Sequence, residues 1–173
     1  YVALAADILE YVRREMTRPQ GGFWSATDAD SMGEDGHREE GLFFLWTPKE
    51  MLEVLGAERM KIAEEVYGVT EAGNFEGANI LTRSRSLASA AASLDIEETR
   101  LRTELKDIRQ SLRETRATRA PPLLDDKMLT AWNGLMISAF ATGARVLGDP
   151  SLNQVAIDAA DAILRDNIED GRL

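Results

Sequence analysis

The sequence has no cysteine, which excludes disulfides, thiolate metal sites and a thiol nucleophile, and fits a reducing compartment. His37 is its one histidine, so a mechanism that needs two histidines as acid and base is not carried here. Ser25, Thr27 and Ser31 lack a base partner, and triad chemistry is not expected. Cations are in the minority: 20 Lys and Arg stand against 30 Asp and Glu, a formal charge of -10. That balance argues against nucleic acid and anionic membranes as partners, since both require clustered Lys and Arg. No apolar run approaches the roughly 20 residues of a membrane span, and nothing resembles a signal peptide. A soluble, cytoplasmic protein is the expectation.

What is present suffices for a core. At 173 residues and 44% hydrophobic content, residues 1–173 read as a single domain. Both ends read as cut from a longer protein: the chain opens on a helical stripe without a cap and closes as a loop begins. Val2, Ala5, Ile8, Leu9, Val12 and Met16 share that stripe, and the helix runs from Val2 to Thr17, before Pro19. Gly22 to Ala26 and Gly41 to Trp46 have the length and composition of two short strands, paired as one small hairpin around the polar loop Asp28 to Glu39. Thr47-Pro48-Lys49-Glu50 is a helix start, with Thr47 as cap and proline at the first position. That helix reaches Leu55 and stops at Gly56, and a second spans Glu58 to Tyr67.

Beyond the loop Glu71 to Leu81, Ala88 to Ala92 is a short helix. Ile96 to Ala117 places Leu101, Leu105, Ile108 and Leu112 at a four-three-four spacing, so one face is buried and the charged face is solvated. Pro121-Pro122 break the chain. Asp126 is placed to cap a helix over Met128 to Leu147, with Leu129, Trp132, Leu135, Met136, Ala139, Phe140 and Val146 inward. After the turn Gly148-Asp149-Pro150, Asp149 or Ser151 caps a last helix that buries Leu152, Val155, Ala156, Ala159 and Ile163. The class is mainly α, built of antiparallel helical hairpins with one small β-hairpin.

Three polar stretches rich in aromatics exceed what helix packing needs: Gly21 to Ser31, Glu40 to Pro48, and Asp125 to Gly134. Rings stack on the C–H faces of a sugar while carboxylates accept its hydroxyl protons. Asp28 and Asp30, two apart on an extended segment, face one side roughly 6.5 Å apart along the chain. With Glu40 they are candidates for general acid and base work on a sugar; the alternative is that they accept backbone N–H groups in a turn. Asp28, Asp30, Gly33 and Glu39 also match places of a calcium loop, but Met32 occupies a ligand place and no helix enters it, so no metal or other cofactor is expected. Trp24, Trp46, Asp125, Asp126, Lys127, Trp132 and Asn133 are candidate substrate-binding residues. Against that, Asp126 as cap and Trp132 as core would be structural, and strand tryptophans usually pack. Glu76 and Asn79 are weaker candidates on a glycine-flanked loop.

Four ordered motifs carry a resemblance: Gly21-Gly22-Phe23-Trp24-Ser25-Ala26-Thr27-Asp28-Ala29-Asp30-Ser31, then Glu40-Gly41-Leu42-Phe43-Phe44-Leu45-Trp46-Thr47-Pro48, then Gly73-Asn74-Phe75-Glu76-Gly77-Ala78-Asn79-Ile80-Leu81, and a last run from Asp125 to Ile137. The chain resembles the thioredoxin-domain-containing proteins related to spermatogenesis-associated protein 20. The resemblance implies a thioredoxin-like domain followed by a six-hairpin α/α toroid, similar to N-acylglucosamine 2-epimerases and glycosidases of that shape. This chain, without a Cys-x-x-Cys, corresponds to part of the toroid. The implied function is a carbohydrate-binding or carbohydrate-active domain, with a glycosidase- or epimerase-like activity that needs the full toroid. A sugar and the remainder of the parent protein are the implied partners. The alternative is a non-catalytic helical scaffold serving the thioredoxin-like domain.

Overall fold

The computed structural model describes residues 1–33, 36–83 and 85–172. In chain order the elements are α1 (Val2–Glu15), β1 (Ala26–Thr27), β2 (Asp30–Met32), β3 (Arg38–Glu40), a 3-10 turn (Leu42–Phe44), α2 (Pro48–Tyr67), α3 (Leu87–Ser93), α4 (Glu98–Arg116), β4 (Leu124–Asp125), α5 (Thr130–Leu147) and α6 (Pro150–Asp166). The protein is mainly helical with a small antiparallel β-hairpin. Its chain divides into two compact units, Tyr1–Asp28 with Leu123–Leu173, and Ala29–Pro122.

In the first unit α5 and α6 form an αα-hairpin around Gly148 and Asp149. Gly148 ends α5 in the left-handed region, φ 68°, and Asp149 starts α6 by accepting from the Ser151 backbone N–H, with Pro150 at the first helical position. α1 packs on α5, and Leu9, Val12, Phe23, Phe140, Leu152, Ala156 and Ala159 form the core. The Phe23 and Phe140 rings stack with centroids 5.3 Å apart. After α1 the chain reverses through Gly21 and Gly22, at φ 91° and 82°, and pairs back on itself, Thr17 opposite Phe23. Only glycine suits Gly21, because a Cβ there would sit 2.3 Å from the Asp158 carbonyl oxygen of α6. β1 then pairs antiparallel with β4, Ala26 opposite Asp125 and Thr27 opposite Leu124.

In the second unit β2 and β3 form the hairpin, with Asp30 opposite Glu40, Ser31 opposite Glu39 and Met32 opposite Arg38. α2, α3 and α4 bury one cluster that includes Trp46, Met51, Ala63, Val66, Ala90 and the α4 stripe Leu101, Leu105, Ile108 and Leu112. Thr47 caps α2 by accepting from the Glu50 N–H. Gly56, at φ 71° and ψ 167°, breaks α2, and residues on both sides of the break (Met51 and Leu55, then Met60, Ala63 and Val66) reach the core. Arg59 ties α2 to α4 through Glu104 at 3.0 Å and Asp107 at 2.8 Å.

Three expectations are corrected. Gly22–Ala26 does not pair with Gly41–Trp46; the hairpin lies inside the polar loop, and residues 26–27 pair with 124–125 instead. Asp126 does not cap α5, whose N-cap is Leu129 without a side-chain bond. Trp132, Leu135 and Val146 do not point inward but are 56%, 74% and 63% exposed, and Leu129 and Ala139 are exposed as well. α5 is apolar around most of its circumference, so its buried side is chosen by Asn133, whose amide is pinned to the Phe23 backbone.

Candidate functional site

The chain reversal after α1 brings Trp24 onto the first turns of α5. Trp24 donates its backbone N–H to the Met16 carbonyl at 2.9 Å, and the next residues enter β1. Trp24, Ser25 and Thr27 thereby line one wall of a groove of about 280 Å³, whose other walls include Tyr11 of α1 and Leu129, Trp132 and Met136 beside and within α5. Trp132 stands mostly in solvent, Trp24 is half-buried, and among the described residues no charged side chain lines the groove. The groove therefore offers ring faces with the hydroxyls of Ser25, Thr27 and Tyr11 at its edge. Those suit a neutral ligand with both a C–H face and hydrogen-bonding groups.

Asn133 reaches this groove but is engaged elsewhere. Its Oδ1 accepts from Phe23 N–H at 2.7 Å, and its Nδ2 donates to the carbonyls of Phe23 at 3.0 Å and Leu129 at 3.1 Å. Asp125 sits in β4 beside Ser25, whose hydroxyl donates to the Asp125 carbonyl at 3.2 Å. The Asp125 carboxylate accepts from Lys127 Nζ at 2.7 Å and from Lys127 N–H at 3.3 Å. The Lys127 side-chain bond, followed by its backbone N–H, holds the Asp125 carboxyl below the usual carboxylate range. Asp125 and Lys127 therefore satisfy each other, and Asp126 is exposed. Asp28 closes the β1 end, where its backbone N–H donates to the Leu123 carbonyl at 2.7 Å.

The remaining candidates belong to the second unit. Asp30 and Glu40 are directly opposed across β2 and β3, which places both side chains on one face of the hairpin. His37 is exposed in the turn of that hairpin. Trp46 is only 2% exposed. Its backbone pairs with Asn79, at 2.7 and 3.1 Å, and the Arg119 guanidinium lies 4.1 Å from its ring centroid. Asn79 is buried, accepting from Thr70 N–H at 3.0 Å and donating to Thr70 carbonyl at 3.1 Å. Asn74 braces the same loop by exchanging two bonds with the backbone of Ile80, at 2.8 and 3.0 Å.

Sequence reasoning passed over Tyr11 and Arg119, and weighed Ser25, Thr27 and Ser31 only as nucleophiles. Ser31 is buried, and its hydroxyl accepts from the Phe43 N–H at 2.9 Å. Arg119 donates to the carbonyls of Phe43 and Leu45, both at 2.8 Å, and to Glu50 at 2.6 Å. The sequence marks Arg119 only as one cation in an interleaved charge run. Tyr11 is signalled by its place one residue before Val12 on α1, facing the side of the helix that the buried stripe leaves open. Among the described residues no group of three or more His, Asp or Glu side chains is placed to hold a metal ion, and no helix is long and apolar enough to cross a membrane.

The described residues define a helical protein with an aromatic-lined groove and a self-braced asparagine loop. No protein-family model matches the chain. Along its whole length it is homologous to spermatogenesis-associated protein 20: 38% identical to the human protein and 34% to that of the mouse, in both cases over all of this chain and 25% of the relative. An uncharacterized protein of Caenorhabditis elegans is 26% identical over 76% of the chain. The chain spans about a quarter of the length of the curated relatives it matches.

Proposed function

We propose that this chain is part of an α/α toroid that binds carbohydrate, with the groove of the first unit as the sugar-stacking site. One observation carries the reading: Trp24 and the exposed Trp132 share a groove edged by hydroxyls and free of charged side chains. A pyranose stacks on such rings through its C–H face and exchanges hydrogen bonds with Ser25, Thr27 and Tyr11. Asp28, next in sequence to Thr27 but not itself a lining residue, and Asp30 and Glu40 of the β2–β3 hairpin are the acids proposed for proton transfer. Glycosidase- or epimerase-like turnover would require the whole parent protein. In this reading the parent is cytoplasmic, with a thioredoxin-like domain and the rest of the toroid as partners.

The test is thermal unfolding of the full-length polypeptide against a panel of neutral mono- and disaccharides, with Trp132→Ala and Asp28→Asn beside the parent. A sugar at a hundred times its dissociation constant adds about 2.7 kcal/mol. Trp132→Ala should abolish that stabilisation. Asp28→Asn should keep binding and lose any turnover of the same sugar. If no sugar moves the midpoint, the carbohydrate reading fails.

A specific set of contacts favours a second reading, a non-catalytic scaffold: Trp46, Asn79, Asn133 and the Asp125–Lys127 pair are all engaged in holding backbone or each other. Under that reading the motif residues brace loops, and their substitution lowers stability without touching any ligand.

A further inference from the structure

The chain reversal at Thr17 to Gly21 walls a second cavity of the first unit, about 360 Å³, which shares no lining residue with the groove of Trp24 and Trp132. Its opposite wall is one face of α6, where Val155, Asp158, Asp161 and Arg165 recur at helical spacing. Contacts across the cavity fix the two walls. Gly21 lies so close to α6 that a Cβ on it would meet the Asp158 carbonyl oxygen at 2.3 Å. Arg165 donates from Nη2 to the Gln20 carbonyl at 3.2 Å. Both arginines of the cavity also reach one carboxylate, that of Asp166: Arg165 from Nε at 2.7 Å and Nη2 at 3.0 Å, and Arg18 from Nη1 at 3.5 Å. A cavity braced in this way needs little ordering when a ligand enters.

The charges that line it balance, two guanidinium groups against two carboxylates, yet they do not satisfy one another. Asp161 and Arg165 stand at the i,i+4 spacing of a helical ion pair, but Arg165 turns to Asp166 instead. Among the described residues the Asp161 carboxylate accepts no hydrogen bond, and Asp158 uses only Oδ1, toward Gln154 at 2.8 Å. Arg165 Nη1 and Arg18 Nη2 likewise carry N–H groups beyond the bonds just described. A simple anion in the cavity would face two aspartates, and a simple cation two arginines. We propose that the cavity binds a small zwitterion, an α-amino acid, with its carboxylate on Arg18 and Arg165 and its ammonium group on Asp158 and Asp161. The guanidinium fork matches a carboxylate, and an ammonium has donors enough for two acids. Pro19 and Val155 supply apolar surface for an aliphatic side chain, and the volume is that of a small-molecule site. The proposal does not depend on a sugar in the neighbouring groove.

Titration calorimetry of the full-length polypeptide tests this, with glycine, alanine, valine and leucine as zwitterions and with spermidine and inorganic phosphate as probes of one charge sign. Asp161→Asn is the diagnostic variant, because that side chain is exposed and holds no other group in place. The expected result is that at least one amino acid binds and that Asp161→Asn weakens it about tenfold or more, through loss of a charged partner. Trp132→Ala should leave that affinity unchanged, which separates this site from the sugar groove. Absence of binding by all four amino acids overturns the proposal, as does binding that Asp161→Asn leaves intact. Spermidine or phosphate binding in place of the amino acids also overturns it, and would mean that only one half of the charged lining takes a ligand.

Discussion

The Asn133 carboxamide grips the Phe23 backbone from both sides, accepting from its N–H at 2.7 Å and donating to its carbonyl at 3.0 Å. This clasp joins the reversal after α1 to the start of α5 and puts Trp24 at the groove. Asn133→Leu leaves the Phe23 N–H and carbonyl buried without partners, at about 1–3 kcal/mol for each group. Urea unfolding should show a lowered midpoint with an unchanged slope. Asn133→Asp should be no better, because it exchanges the donor for a buried charge.

Arg119 plays the equivalent part in the second unit, holding two carbonyls, Glu50 and the face of Trp46. Arg119→Lys keeps the charge but not the planar fork, and should recover little of the stability lost in Arg119→Ala, on the order of 2 kcal/mol. Thermal denaturation of the two variants side by side checks this; full recovery by lysine would mean that charge alone matters.

Two glycines should respond oppositely to alanine. Gly21→Ala meets the Asp158 carbonyl at a positive φ and should destabilise strongly. Gly134→Ala, in α5 with nothing within 4 Å of the new Cβ, should stabilise by about 0.5–1 kcal/mol. Denaturation midpoints moving down and up respectively are the expected pair.

The Asp125 carboxyl is lowered by its bond from the Lys127 side chain and then by the Lys127 backbone N–H. Its folded value thus lies below its unfolded one. The stability it contributes is present above the unfolded value, about 4, and is lost as pH falls through the lowered folded value. An NMR titration of the Asp125 carboxyl carbon should place its midpoint under the ordinary aspartate value. Lys127→Met should move that midpoint upward.

Much of the helical scaffold is legible in the sequence because its signals are local. The α4 stripe Leu101, Leu105, Ile108 and Leu112 is buried as its spacing requires, and Thr47 and Asp149 cap as their positions predict. The strands are not legible: two- and three-residue strands carry no periodicity, and β1 finds its partner about a hundred residues away. α5 misleads for another reason. With apolar residues nearly all round it, no phase stands out, and a polar residue, Asn133, sets which side turns in. For the candidate site, Trp24 and Trp132 can be read from motif composition, whereas Ser25 and Thr27 enter only through the geometry of the groove. For Tyr11 the α1 stripe signals only that it lies off the buried face; its place in the groove depends on how α1 meets α5.

The bond from Asp28 N–H to the Leu123 carbonyl spans the two points where the chain leaves the first unit and returns to it. Everything between them is delivered by the ribosome before β4 and α5 exist, an interval of roughly 5–20 s at ordinary synthesis rates. At the end of that interval Ala29–Pro122 is complete, while α1 and Phe23 still lack Phe140 and Asn133. The nascent protein thus finishes its middle before its beginning, and a chaperone that guards the unsatisfied N-terminal segment would find its binding window there.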